Sequence, residues 1–293
     1  MKKFFLLVVG LTAVIISGCA TQSIQLGKDL SKSGVTYTEA VDKLLLVTTE
    51  RVIDFDNAEV KKSRRGTTGL EEMIRAKDEA VLDLILEIEK FRLQTKLLKA
   101  YFINLQALSD SPVKNDTGEA VKTLSDSISK LNKSLSGKDK LTDDQKTQIS
   151  TFSGLVTNSI HAAKVKDALH RDAKVIGENL ALQEIQLRNI SDILKDRFDS
   201  ENDLFYKEKI IAPFKNTKQT LGNDWDSDRK QWFKTQFISQ QLLTAQEAAK
   251  QLRGVWADIL QGKPDIDSLN VLITEVNEFV VVVHALNTDK KTD

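Results

Sequence analysis

From Leu70 onward, apolar side chains recur at alternating steps of four and three, through Leu70, Ile74, Lys77, Val81, Leu84, Ile88, Phe91, Thr95, Leu98, Phe102 and Leu105. A seven-residue repeat held over that distance predicts one long helix with a continuous seam. With a rise of about 1.5 Å per residue, roughly 40 residues span about 60 Å. Leu82, Leu86, Leu93 and Leu97 form a second apolar row, which predicts burial on two sides inside a bundle.

A second seam runs through Leu169, Ala173, Ile176, Leu180, Gln183, Leu187, Ile190 and Leu194, flanked by Val175, Leu182, Ile185 and Ile193. Upstream, Thr142 and Gln145 read as a capping box ahead of a stripe at Ile149, Phe152, Val156, Ile160 and Ala163. Gly154 and Gly177 weaken this stretch without breaking it, so residues 142–198 are open to being one rod or two. Ser200 with Asp203 suggests a restart, and Pro213 then ends or kinks that helix.

Shorter amphipathic helices are expected over residues 35–61 and, after a loop at Pro112, over residues 118–135. A polar turn at Gly222, Asn223 and Asp224 introduces residues 232–260, where Phe233, Phe237, Leu242, Ala245, Ala249, Leu252, Trp256 and Ile259 hold the inner face. Gly262-Lys263-Pro264 closes that helix. The last helix, residues 269–286, contains Val280 to Val283, but Glu275 and Glu278 interrupt the apolar run, so it reads as a core helix rather than a membrane span. No repeat of fixed length points to a solenoid.

Composition agrees with helix. The chain has three prolines and 6% aromatic residues, so long segments rich in Leu, Lys, Glu, Gln and Ala run uninterrupted. The expected fold is all-α: an elongated multi-helix bundle with long, coiled-coil-like antiparallel helices. Lys plus Arg equals Asp plus Glu at 42 each, with alternating signs, so nothing concentrates positive charge for nucleic acid. The basic cluster from Lys61 to Arg65 could touch anionic headgroups, but Gly66 and Gly69 behind it read as a solvated turn.

The single cysteine changes the picture. Met1-Lys2-Lys3 is a positive start, Phe4 to Ile16 an apolar run too short to span a bilayer, and Ile16-Ser17-Gly18-Cys19 closes it on small residues. These residues resemble a bacterial lipoprotein signal. The resemblance covers the first nineteen residues and implies cleavage before Cys19, diacylglycerol on its sulfur and acylation of its amine. Ala20, where an Asp would retain a lipoprotein in the inner membrane, implies sorting to the outer membrane in a host with two membranes. Removal of Lys2 and Lys3 would leave a net charge of −2. The expected organisation is a cleaved signal at residues 1–18, lipidated Cys19 and a flexible tether through residue 33, one helical-bundle domain at 34–288, and a polar tail at 289–293. With one cysteine, no intramolecular disulfide and no thiolate metal cage can form.

Chemical motifs are scarce. The sequence has no nucleophile elbow, no phosphate-cradling Gly loop and no His-Glu-x-x-His zinc helix. The best metal pair is Asp167 and His170, three apart on one helical face, but His161 and His284 have Asn158 and Val281 where a matching acid would stand. The pair therefore reads as a solvated surface Asp and His rather than as a metal site. Trp232 and Trp256 lie in helical register and read as core, whereas Trp225 in the polar turn is the aromatic candidate for a partner contact. No cofactor is expected. The sequence reading is therefore a lipid-anchored envelope protein acting through protein contacts, with a helical enzyme or ligand-binding protein and a membrane-active protein as alternatives.

Overall fold

A computed structural model describes residues 2–63, 69–110, 164–216, 220–261 and 266–287, with side chains in the first segment described from Gln25. The helices expected over 118–135 and 142–163, the Pro112 loop, the side chains of the basic cluster and the Gly262 to Pro264 punctuation lie outside the described residues. The protein is an all-α multi-helix bundle, and 97% of its described residues are helical. Helix α1 spans Lys2–Ser63, α2 Leu70–Asp110 and α3 Lys164–Phe205. A π-helical segment, Tyr206–Ile211, leads into the four-residue α4, Ala212–Lys215, followed by α5, Asn223–Leu260, and α6, Ile266–Asn287.

The α3 seam is buried throughout and the α2 seam from Ile88 onward, while Leu70, Ile74, Lys77, Val81 and Leu84 are half-buried. On α2, Ile88, Phe91, Thr95, Leu98, Phe102 and Leu105 are buried, and on α3 all eight seam positions from Leu169 to Leu194 are buried. The second row on α2 is not. Leu82, Leu86 and Leu93 are 54%, 47% and 58% exposed. At about 100° per residue, Leu86 lies about 160° round the helix from Ile88, so a helix packed through its seam turns this row outward.

Helix α1 is buried on several sides, as is α3 from Asn179 to Gln183. A tether is expected through residue 33, yet residues 25–33 are helical, and Leu26, Leu30, Ser31 and Ser33 are buried there. Among the described side chains, the apolar stripe that includes Tyr37, Val41 and Leu44 extends back to Leu26, hidden in the sequence by the small polar residues around it. Those residues satisfy themselves. Ser31, Ser33, Thr38, Thr48 and Thr49 each donate their hydroxyl to a carbonyl one turn back on their own helix, at 2.7–3.1 Å. A buried hydroxyl paired in this way needs no partner across the interface.

The chain divides into two compact units. The first takes Met1–Glu39, Lys96–Leu182 and Ala248–Asn277. In it, Gly34 of α1 accepts the Phe102 ring of α2 against its backbone, and Lys99 of α2 pairs with Glu39 of α1 at 2.8 Å, so these stretches run antiparallel. Trp256 of α5 meets Tyr101 and Phe102 edge-on at 6.0 and 6.4 Å. The second unit takes Ala40–Thr95, Gln183–Glu247 and Glu278–Asp293. There Gln183 Nε2 of α3 donates to Thr95 Oγ1 of α2 at 3.2 Å, and the Ser191 and Ser239 hydroxyls join α3 to α5 at 2.9 Å.

Ser200 does not restart a helix, because α3 continues to Phe205 and widens into the π segment. Ala212 N–H donates to the Lys207 carbonyl five residues back, just before Pro213. A proline ring clashes with the carbonyl four residues behind it, and a wider turn relieves that clash. On α5 the expected face holds from Leu242 through Ala245, Ala249 and Leu252 to Trp256, all buried, with Gln241, Ala248, Val255 and Leu260 buried beside it. Before Leu242 the register differs: Thr235 and Ile238 are buried, while Phe233 and Phe237 are exposed. On α6, Leu269, Leu272, Val276, Phe279 and Val283 face the core, but Val281 is 69% exposed. The stretch Asp267–Leu286 is long and apolar enough to cross a membrane by length and composition, and it is a core helix on one face only.

Candidate functional site

The connection between α3 and α5 gathers most of the second unit's aromatic rings. The π segment and α4 carry Tyr206 and Phe214, and α5 opens at Asn223 after Gly222, whose carbonyl accepts the Trp225 N–H at 3.0 Å. Asp224 and Asp226 in that first turn complement the helix dipole. Trp225 is then tied back, its indole Nε1–H donating to the Ile210 carbonyl of the π segment at 3.1 Å. Its ring stacks on Phe214 at 6.2 Å, and Tyr206 lies 4.7 Å from Trp232.

Arg229 links these rings. Its guanidinium sits 5.5 Å from the centroid of Trp225 and 5.3 Å from that of Phe233. Trp232 packs edge-on against Phe233 at 5.0 Å. Trp225, Arg229, Phe233 and Phe237 advance by four residues and share one outward arc of α5. Phe214, Phe233 and Phe237 are 62%, 43% and 53% exposed, and Leu221 and Leu243 add exposed apolar surface. Among the described residues, no carboxylate pairs with Arg229 and no hydrogen bond uses its N–H groups. The geometry is a planar cation fixed between two aromatic faces, with its donor edge unspent. Such an edge suits a carboxylate or phosphate taken through two oxygens.

The residues singled out in the sequence are distributed differently. Cys19 lies on the α1 backbone, and its side chain is outside the described residues. Asp167 and His170 lie on α3, with side chains likewise outside them. His284 is exposed, its Nε2 3.5 Å from Lys43 Nζ. Among the described residues, no three His, Cys, Asp or Glu side chains come together as a metal site. Trp225 is half-buried and shares the patch with Arg229, Phe233 and Phe237, which the sequence reading did not link to it. A signal was available: Phe237 to Leu242 is a step of five, which a heptad seam does not make, whereas Ile238 to Leu242 is a step of four.

Compared with protein-family models, curated proteins and solved structures, the chain shows no match.

Proposed function

We propose that this chain is a lipid-anchored helical interaction module of a bacterial envelope, held at Cys19 and docking a partner through the aromatic patch around Arg229. The address rests on the residues up to Cys19, and the Ala20 that follows supports an outer-membrane location in a two-membrane host. The docking role rests on one observation, the unspent guanidinium edge between Trp225 and Phe233 inside exposed aromatic surface. Aromatic residues and Arg are the side chains enriched where proteins bind, because they bury large area and lose little freedom on doing so. A soluble surface gains nothing from three exposed Phe, so covering them supplies the binding energy.

The test is complementation of a deletion strain by Phe233→Glu with Phe237→Glu, with protein level and helical content measured in parallel. Both side chains are exposed, so the fold is retained and activity is lost. Full activity at normal protein level would remove the patch from the function. The companion change Asp167→Ala with His170→Ala leaves activity intact in this reading, whereas loss of activity there would favour a site on α3.

A further inference from the structure

Within the second unit, the α5 patch has a counterpart on α6. Glu278, Val281, Val282 and Ala285 are all exposed, and at about 100° per residue they fall within an arc of about 100°. Among the described residues, no cation pairs with Glu278. This face is aliphatic with one free carboxylate. The α5 face is aromatic with one free guanidinium. The two charges are opposite, each sits amid apolar surface, and within the chain they do not meet.

We infer that this chain self-associates, Glu278 of one copy accepting hydrogen bonds from the Arg229 guanidinium of another while Val281 and Val282 cover Phe233 and Phe237. The inference rests on the reading of the α5 patch as a contact surface and names its partner as a second copy of the chain. Trp225 and Phe233 already orient Arg229, so little side-chain freedom is lost on pairing. Covering the rings excludes water around the pair, and each charge would be costly to bury without the other, which makes the contact selective. The two faces differ, so either two copies pair isologously about a two-fold axis, each α5 face meeting the other's α6 face, or copies add heterologously, head to tail. Anchorage of both copies in one membrane raises their effective concentration. An anionic bilayer fits the patch less well, because Asp224 and Asp226 stand exposed in the first turn of the same helix.

The experiment is sedimentation of the full chain in detergent over a dilution series, comparing wild type, Arg229→Glu, Glu278→Arg and the double reversal. Wild type self-associates. Each single reversal weakens association by about tenfold or more, since it sets like charges face to face, and the double reversal returns to within about threefold of wild type. A circular dichroism melt of each variant confirms the fold, and the neutral pair Arg229→Gln and Glu278→Gln, each weakening association, serves if a reversal unfolds. Monomeric wild type at every dilution overturns the inference, as does either single reversal associating like wild type. So does a monomer that floats with anionic vesicles and loses flotation on Phe233→Glu, which would assign the patch to the bilayer. If wild type is monomeric while the Phe233→Glu, Phe237→Glu variant still loses activity in the deletion strain, the patch docks a different protein and only the self-contact falls.

Discussion

Arg92 of α2 donates from Nε to Asp42 of α1 at 2.9 Å and from Nη1 to Glu89 of its own helix at 2.7 Å, with only 12% of its side chain exposed. Burial works against the charge, but the hydrogen bonds to Glu89 and Asp42 overcome it and hold the guanidinium's pKa above its ordinary value. The cross-helix arm sets the register of α1 on α2 in the second unit. Arg92→Ala therefore costs about 2 kcal/mol in denaturant unfolding, between the worth of an exposed pair and a fully buried one. In a double-mutant cycle with Asp42→Ala, the two losses are less than additive. Additive losses would show that the pair contributes nothing of its own.

Gly34 and Phe102 approach closely in the first unit. A Cβ on Gly34 would stand 2.5 Å from the Phe102 ring, which Tyr101 and Trp256 hold edge-on. Alanine normally improves a helix interior by about 1 kcal/mol over glycine. Here overpacking wins, and Gly34→Ala lowers stability by about 1–3 kcal/mol. Adding Phe102→Leu to it recovers part of the loss in thermal melts. Gly34→Ala melting at or above wild type would show that the ring moves aside freely.

The faces of α2 predict an asymmetry. Ile88 is fully buried, so Ile88→Asp places a carboxylate among apolar side chains and costs several kcal/mol. Leu86, two residues away, faces outward, and Leu86→Asp changes stability by less than about 1 kcal/mol. Equal losses from both would mean that the outward row is covered.

These cases show what was legible in the sequence. A seam is a sum over many residues, so the seven-residue repeats of α2 and α3 placed their buried positions without reference to any partner. Which further faces are covered depends on neighbouring helices, and Leu82 and Leu86 carry no mark of that. The burial of Leu26 and Leu30 is hidden in the sequence because Ser31 and Ser33 read as linker, although a hydroxyl bonded to its own helix is as acceptable inside as outside. Phe233 and Phe237 were assigned inward on hydrophobicity alone. Only the five-residue step to Leu242 argued otherwise, and the Arg229 sandwich requires the folded connection to Trp225.

Attachment has its own test. Cys19→Ser removes the sulfur that would carry the lipid, so the chain stays uncleaved and loses fatty-acid label in metabolic labelling. Equal label on both forms would sink the lipid anchor while leaving the bundle and its α5 patch unaffected. Fractionation then places the wild-type chain with outer membranes in a two-membrane host, and recovery mainly with inner membranes would contradict the sorting read from Ala20.

Asn179 of α3 offers a prediction of the opposite sign. It is fully buried beside the seam residues Ile176 and Leu180, and among the described residues neither its Oδ1 nor its Nδ2 has a hydrogen-bond partner. A buried amide atom left without a partner carries a penalty of about 1–3 kcal/mol. Leucine has a similar shape and no polar atoms, so Asn179→Leu removes that penalty and raises the unfolding free energy by about 1 kcal/mol or more. Most core substitutions destabilise, so a gain here is a discriminating result. A polar residue in a helical seam can also hold register at a cost in stability, and the more stable variant then shows weaker helix-pairing specificity, read as extra species in native mass spectra. Loss of more than about 1 kcal/mol on Asn179→Leu would instead mean that the amide is satisfied and contributes to the core.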